Sequence, residues 1–211
     1  MSDDGTDLSA RLDLEPGDPT AVLLLAPGLS EHEDPACIDL LTVINPNQQN
    51  VLSFTCTQSP TARLQAWQTH TDETIPAAAT IVSVGDQSRS AGSMSSRASQ
   101  SGALSIETVG SAGDLTKLGI VLTNQLREWA ENDYQTVVCF HSLTTVLQYV
   151  ELDRLFQFLH VALQRLRAAD AIAHFHLDPS AHDEKTVNTL GQLFDAAVEI
   201  TDHGDQTIKQ R

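Results

Sequence analysis

Short apolar runs alternate with stretches of helical periodicity along most of the chain. Thr20–Ala26 is the first run, carrying Val22 and three leucines, and a helical stretch near Pro35–Thr42 follows it. Asn45-Pro46-Asn47 marks a turn, and Asn50–Cys56, with Val51, Leu52 and Phe54, predicts a second strand. Ser59-Pro60 opens a helix through Trp67, with proline at an early helical position where its missing N–H costs nothing. Thr80–Val84 and Leu104–Thr108 predict two further strands. Asp114 caps a helix whose Leu115, Leu118, Leu122, Leu126 and Trp129 recur at three- and four-residue steps. Thr136–Phe140 has the continuous apolar character of a strand covered on both faces. Glu151–Ala169 is the clearest helix, with Leu152, Leu155, Phe156, Leu159, Leu163 and Leu166 on one stripe. Phe158 and Val161 lie off that stripe and predict a second covered face. Ala171–Leu177, a helix from about Asp183 to Phe194, and Ala196–Ile200 complete the series. Strands alternating with helices predict an α/β fold: a doubly wound, mainly parallel sheet with helices on both faces and right-handed crossovers.

Three stretches fall outside this pattern. Residues 1–19 hold six acids, one arginine, two prolines and two glycines and predict a flexible or loosely docked acidic lead-in. Gly85–Gly102 contains seven serines with Arg89 and Arg97 and little to bury, which predicts a flexible loop or a partner-binding one. Residues 201–211 read as a polar tail. Between them, residues 20–200 form one domain, the expected count for 211 residues.

The net charge changes the setting more than the fold. Acids number 28 against 12 basic residues, a formal charge of −16, and they are scattered from end to end. Such a coat suits concentrated salt, where exposed charges are screened within a few ångströms. The expectation is a halophilic cell. No stretch approaches the roughly 20 apolar residues that span a bilayer. The acidic N-terminus is unlike a signal peptide, and Cys37, Cys56 and Cys139 form no C-x-x-C pair. A cytoplasmic, reducing setting without membrane contact is the expectation, with Cys56 and Cys139 behaving as small buried hydrophobes. No basic-aromatic patch points to nucleic acid.

After the first strand the chain reads Pro27-Gly28-Leu29-Ser30-Glu31-His32-Glu33-Asp34. A nucleotide-binding α/β protein places G-x-x-x-x-G-K-[ST] here, with amides and a lysine facing phosphate. This turn has one glycine, no lysine and three carboxylates. Four stretches nevertheless carry a resemblance to the RecA/KaiC-like NTPase superfamily: Val22–Gly28, Gly113–Gly119, Val137–Thr144, and the helix–strand–helix from Leu155 to Ile200. More closely, the chain resembles uncharacterised haloarchaeal proteins labelled HTR-like. Phe140-His141-Ser142-Leu143-Thr144 is similar to the superfamily's strand-Asp-Ser-Leu-Thr element, whose aspartate orients Mg²⁺. Here His141 replaces that aspartate, and imidazole is a poor ligand for a hard, oxygen-seeking cation. The resemblance therefore implies a degenerate member, in which Gly28, His141 and Ser142 are remnants of a nucleotide site. It implies a non-catalytic regulatory or signalling interaction module with protein partners, self-associating into a homo-oligomer, and with no cofactor.

Two other chemistries can be drawn. His174, His176 and Asp178 alternate along one strand face, with His182 after a short turn, and together could ligate Zn²⁺ or a similar divalent metal. A metal-dependent enzyme is the alternative they define. A domain that senses nucleotide through amides near Gly28, without hydrolysis, is another. Ser142, His141 and an aspartate could sketch a hydrolase, but the G-x-S-x-G elbow is missing.

Overall fold

The computed structural model of the protein describes residues 8–28, 30–71, 74–85 and 104–210. Among them, eight strands form one sheet: β1 (Ala21–Leu25), β2 (Gln49–Thr55), β3 (Ala78–Val84), β4 (Leu104–Val109), β5 (Gln135–His141), β6 (Ile172–Leu177), β7 (Ala196–Ile200) and β8 (Gln206–Gln210). Their order is β4-β3-β2-β5-β6-β1-β7-β8. All pairings are parallel except the antiparallel β7–β8 edge. The central strands are buried on both faces, which is why they read as continuous apolar runs.

Helices cover the two faces. Short α1 (Leu8–Arg11), α2 (Glu33–Leu41) and α3 (Pro60–His70) lie on one. The long α4 (Leu115–Trp129) and α6 (Leu152–Ala168) cover the other, joined by short α5 (Leu143–Val146) and by α7 (Glu184–Gly191). Two helix starts carry the side-chain caps their sequences suggest: Ser59 Oγ accepts from Ala62 N at 3.2 Å, and Asp114 Oδ1 from Lys117 N at 2.9 Å. On α6, Leu155, Leu159, Leu163 and Leu166 are buried as the stripe predicts, and Ala162 joins them. Of the two residues off that stripe, Phe158 packs half-buried against the core whereas Val161 is exposed, so the second face is covered only in part.

Both ends pack onto the domain where they are described. The lead-in is docked where described: Leu8, Leu12 and Leu14 are buried in the core under α2. Their spacing is too brief to register as a periodic helix, and hydrogen bonds from Arg11 to Gln206 and from Gln210 to Leu12 O tie the segment to β8 as well. The tail is structured as well. Residues Gln206–Gln210 form β8, which offers one half-buried apolar residue, Ile208, and is otherwise polar because it closes the sheet's edge. The serine-rich stretch falls almost wholly outside the described residues.

Candidate functional site

Parallel strands place their functional side chains at the carboxyl edge, where open α/β sheets hold ligands. On β5, alternation puts Cys139 and His141 on one face and Phe140 on the other. On β6, His174 and His176 share that face, and Phe175 lies opposite. The register pairs Cys139 with His174 directly, so a cysteine–histidine alternation on β5 runs beside a histidine–histidine alternation on β6. Above them, α2 presents Glu33 and Cys37, one helical turn apart, on its sheet-facing side. Arg63 reaches in from α3 and is only 4% exposed.

The result is a convergent buried cluster. Cys37 Sγ lies 3.5 Å from Cys139 Sγ and 3.1 Å from His174 Nε2, and Cys139 Sγ lies 3.5 Å from His176 Nε2. These four ligand atoms are all within 4.8 Å of one another. Glu33 Oε1 accepts from His176 Nδ1 at 2.6 Å. His141 Nε2 sits 3.2 Å from the same oxygen, close enough for an ion pair but off the line of a hydrogen bond, and its Nδ1 meets Thr57 Oγ1 at 3.0 Å. Arg63 donates to Cys37 Sγ at 3.0 Å and pairs with Asp34 at 3.3 Å. His174 Nδ1 is buried without a hydrogen-bond partner.

Electrostatics follow from this crowding. Burial would raise the Glu33 carboxyl, but the facing His141 and His176 imidazoles hold it at about 2. Burial would lower His176, yet the Cys37 sulfur and the Glu33 carboxylate lift it to about 9. His174, with no carboxylate of its own, is pushed down by burial. Against burial, the Cys139 hydrogen bond and the Arg63 guanidinium draw the Cys37 thiol well below its ordinary value. Cys139 is driven up by burial and by the neighbouring sulfur.

The four residues of the expected metal set are divided. His174 and His176 enter the cluster, but Asp178 and His182 do not. Strand β6 ends at Leu177, so Asp178 leaves the alternation and caps the turn Pro179–Ala181, accepting from Ser180 N at 2.9 Å. Its other oxygen accepts from Gly28 N at 3.1 Å. A Cβ on Gly28 would lie 2.9 Å from that oxygen, so glycine is what lets the carboxylate seat there. His182 instead faces Thr144 Oγ1 at 3.3 Å. Ser142 caps α5, its Oγ accepting from Thr145 N at 3.4 Å. Cys37, Cys139, Glu33 and Arg63 are the residues sequence reasoning missed. The carboxylates expected to crowd the turn also behave differently: Glu33 is turned inward, and Asp34 is tied to Arg63 and Gln58.

Sheet order and covering helices define an α/β protein of RecA-like fold. Similar architecture is found in PH0250 of Pyrococcus horikoshii OT3, with TM-score 0.55, 12% identity, and coverage of 96% of this chain and 91% of that one. The flagellar accessory protein FlaH of Methanocaldococcus jannaschii is similar too, with TM-score 0.54, 15% identity, and coverage of 96% and 81%. At such identities the likeness concerns the fold alone. The chain belongs to DUF7504, a family of unknown function whose profile matches residues 19–200. No curated protein matches it. No helix among the described residues is long and apolar enough to cross a membrane.

Proposed function

We propose that the protein is a non-catalytic RecA-like module, a pseudo-NTPase that acts through regulatory or signalling contacts with other proteins in a salt-rich cell. One observation carries this reading. The carboxylate of Glu33, at the start of α2, closes onto His141 at the end of β5. In a phosphoryl-transfer site those two positions hold a phosphate and the carboxylate that orients Mg²⁺, and catalysis is largely their positioning and charge neutralisation. Here a negative charge stands where phosphate would bind and an imidazole where the magnesium ligand would be. Asp178 reinforces the exclusion by engaging the Gly28 N–H, which also weighs against a nucleotide-sensing role through that amide. The metal-dependent enzyme alternative finds no support in Asp178 and His182, which face elsewhere.

The partner this reading favours is a second copy of the chain. Ile120 on α4 and Val161 on α6 are each 47% exposed and flank a groove of about 440 Å³ edged by Arg154 and Arg165. Two arginines beside an apolar groove complement the acid-rich surface of another copy at net charge −16. Calorimetric titration with ATP and GTP plus Mg²⁺ in molar salt tests the catalytic half: no binding is expected, and micromolar affinity with turnover would overturn it. Light scattering tests the other half. A dimer that Val161→Glu dissociates is expected, and a monomer at every concentration removes the self-association.

A further inference from the structure

Four ligand atoms that converge inside a core, from three separate elements, ask for a common partner. Cys37, Cys139 and His176 are 0% exposed and His174 is 1% exposed. A tetrahedral zinc ion, with Zn–S about 2.3 Å and Zn–N about 2.0–2.1 Å, implies S···S edges of about 3.8 Å and S···N edges of about 3.5 Å. The Cys37–Cys139, Cys37–His174 and Cys139–His176 edges, 3.5, 3.1 and 3.5 Å, fall within a few tenths of an ångström of those figures, and the other three edges lie within 4.8 Å. We infer that Cys37, Cys139, His174 and His176 form a closed Cys2His2 site for one Zn²⁺, pinning α2 to β5 and β6.

Three features around the ligands support the assignment. Histidine ligands commonly donate their second ring nitrogen to a carboxylate, which fixes the tautomer and makes the ligand more basic. His176 does this, with Nε2 aimed at Cys139 and Nδ1 bonded to Glu33. The 2.6 Å Nδ1–Oε1 separation is that of a short hydrogen bond, which sets Glu33 and His141 outside the coordination sphere as supports. Charge balance is the second feature. Thiolates are the ligating form of cysteine; with both cysteines ligating, two thiolates and the Glu33 carboxylate would stand against the Arg63 guanidinium and one divalent cation, and the buried charges would sum to zero. The third is chemical type: two thiolates and two imidazoles with no open position select zinc and a structural role. The inference does not depend on the pseudo-NTPase reading, because nothing in it concerns nucleotide.

Metal analysis of the full chain, purified without metal-affinity steps, is the test. About one zinc per chain is expected. Replacement by Co²⁺ should give the intense visible bands of a tetrahedral ion and a near-ultraviolet thiolate charge-transfer band. Cys139→Ser and His174→Ala should abolish stoichiometric metal, while Cys56→Ser and His182→Ala should leave it unchanged. Because the first two variants could fail to fold, the cobalt spectrum of the unaltered protein decides independently. A folded protein with only trace zinc and no tetrahedral cobalt spectrum would overturn the site. So would a metal lost equally on His182→Ala.

Discussion

Neighbouring residues on β5 and β6 face two different worlds. On the α4–α6 side, Phe140 stacks against Phe54 at 5.1 Å and Phe175 at 5.7 Å, in a core built of hydrocarbon. On the α2–α3 side, one residue away in sequence, Cys139, His141, His174 and His176 meet Glu33, Cys37 and Arg63. Both faces are equally buried, so exposure does not distinguish them. What distinguishes them is what the apolar packing encloses: only hydrocarbon on one face, and a convergent cluster of charged and ligand-type side chains set into the apolar core of the other. Within a doubly covered sheet, a period of two can therefore separate packing from chemistry along the same strand.

This contrast can be broken from either side. The largest effect should come from taking the metal away. Structural zinc is worth about 10–16 kcal/mol in small zinc domains, so chelation or Cys139→Ser should destabilise the fold more than any single hydrophobic truncation. Calorimetric melting would register it, at roughly 2–4 °C per kcal/mol for a chain of this size. Phe140→Ala should cost about 3–5 kcal/mol through the cavity it leaves, and denaturant unfolding measures this. Its zinc content should remain at the unaltered level. If Phe140→Ala also released zinc from folded protein, the two faces would be coupled and the contrast lost.

Smaller effects sharpen the picture. Glu33→Gln keeps the shape but removes the carboxylate behind His176, and should weaken metal affinity about 10–100-fold, read by competition with a chromophoric chelator. Asp114→Ala removes only the α4 cap, far from the cluster, and should cost about 0.5–2 kcal/mol with metal affinity unchanged.

Most of the architecture was legible because parallel strands covered on both faces leave unbroken apolar runs, as at β5, and long helices leave stripes, as on α6. The ends were not. Leu8, Leu12 and Leu14 occupy too few turns to declare a helix, and β8 carries a single apolar residue, Ile208. The site was half legible. Strand alternation found His174 and His176, and then carried the pattern one step too far to Asp178, beyond the strand's end at Leu177. The cysteines escaped because Cys37 and Cys139 lie 102 residues apart and a lone thiol in an apolar run reads as a hydrophobe. A usable signal was present: Cys139-Phe140-His141 beside His174-Phe175-His176, two alternations on strands that topology makes neighbours. Arg63 offered none, since a helix arginine reads as solvent-facing until α2 and α3 are seen to pack together. The expectation of a nucleotide-site remnant rests on the missing lysine and aspartate. That Glu33 itself reaches His141 required three dimensions.

Anomalous diffraction recorded on either side of the zinc edge, from crystals grown without added metal, would show whether the buried cluster holds zinc. The account predicts one peak among Cys37, Cys139, His174 and His176, about 2.3 Å from each sulfur and about 2.0–2.1 Å from each nitrogen. Well-ordered density for all four side chains with no peak between them would contradict it.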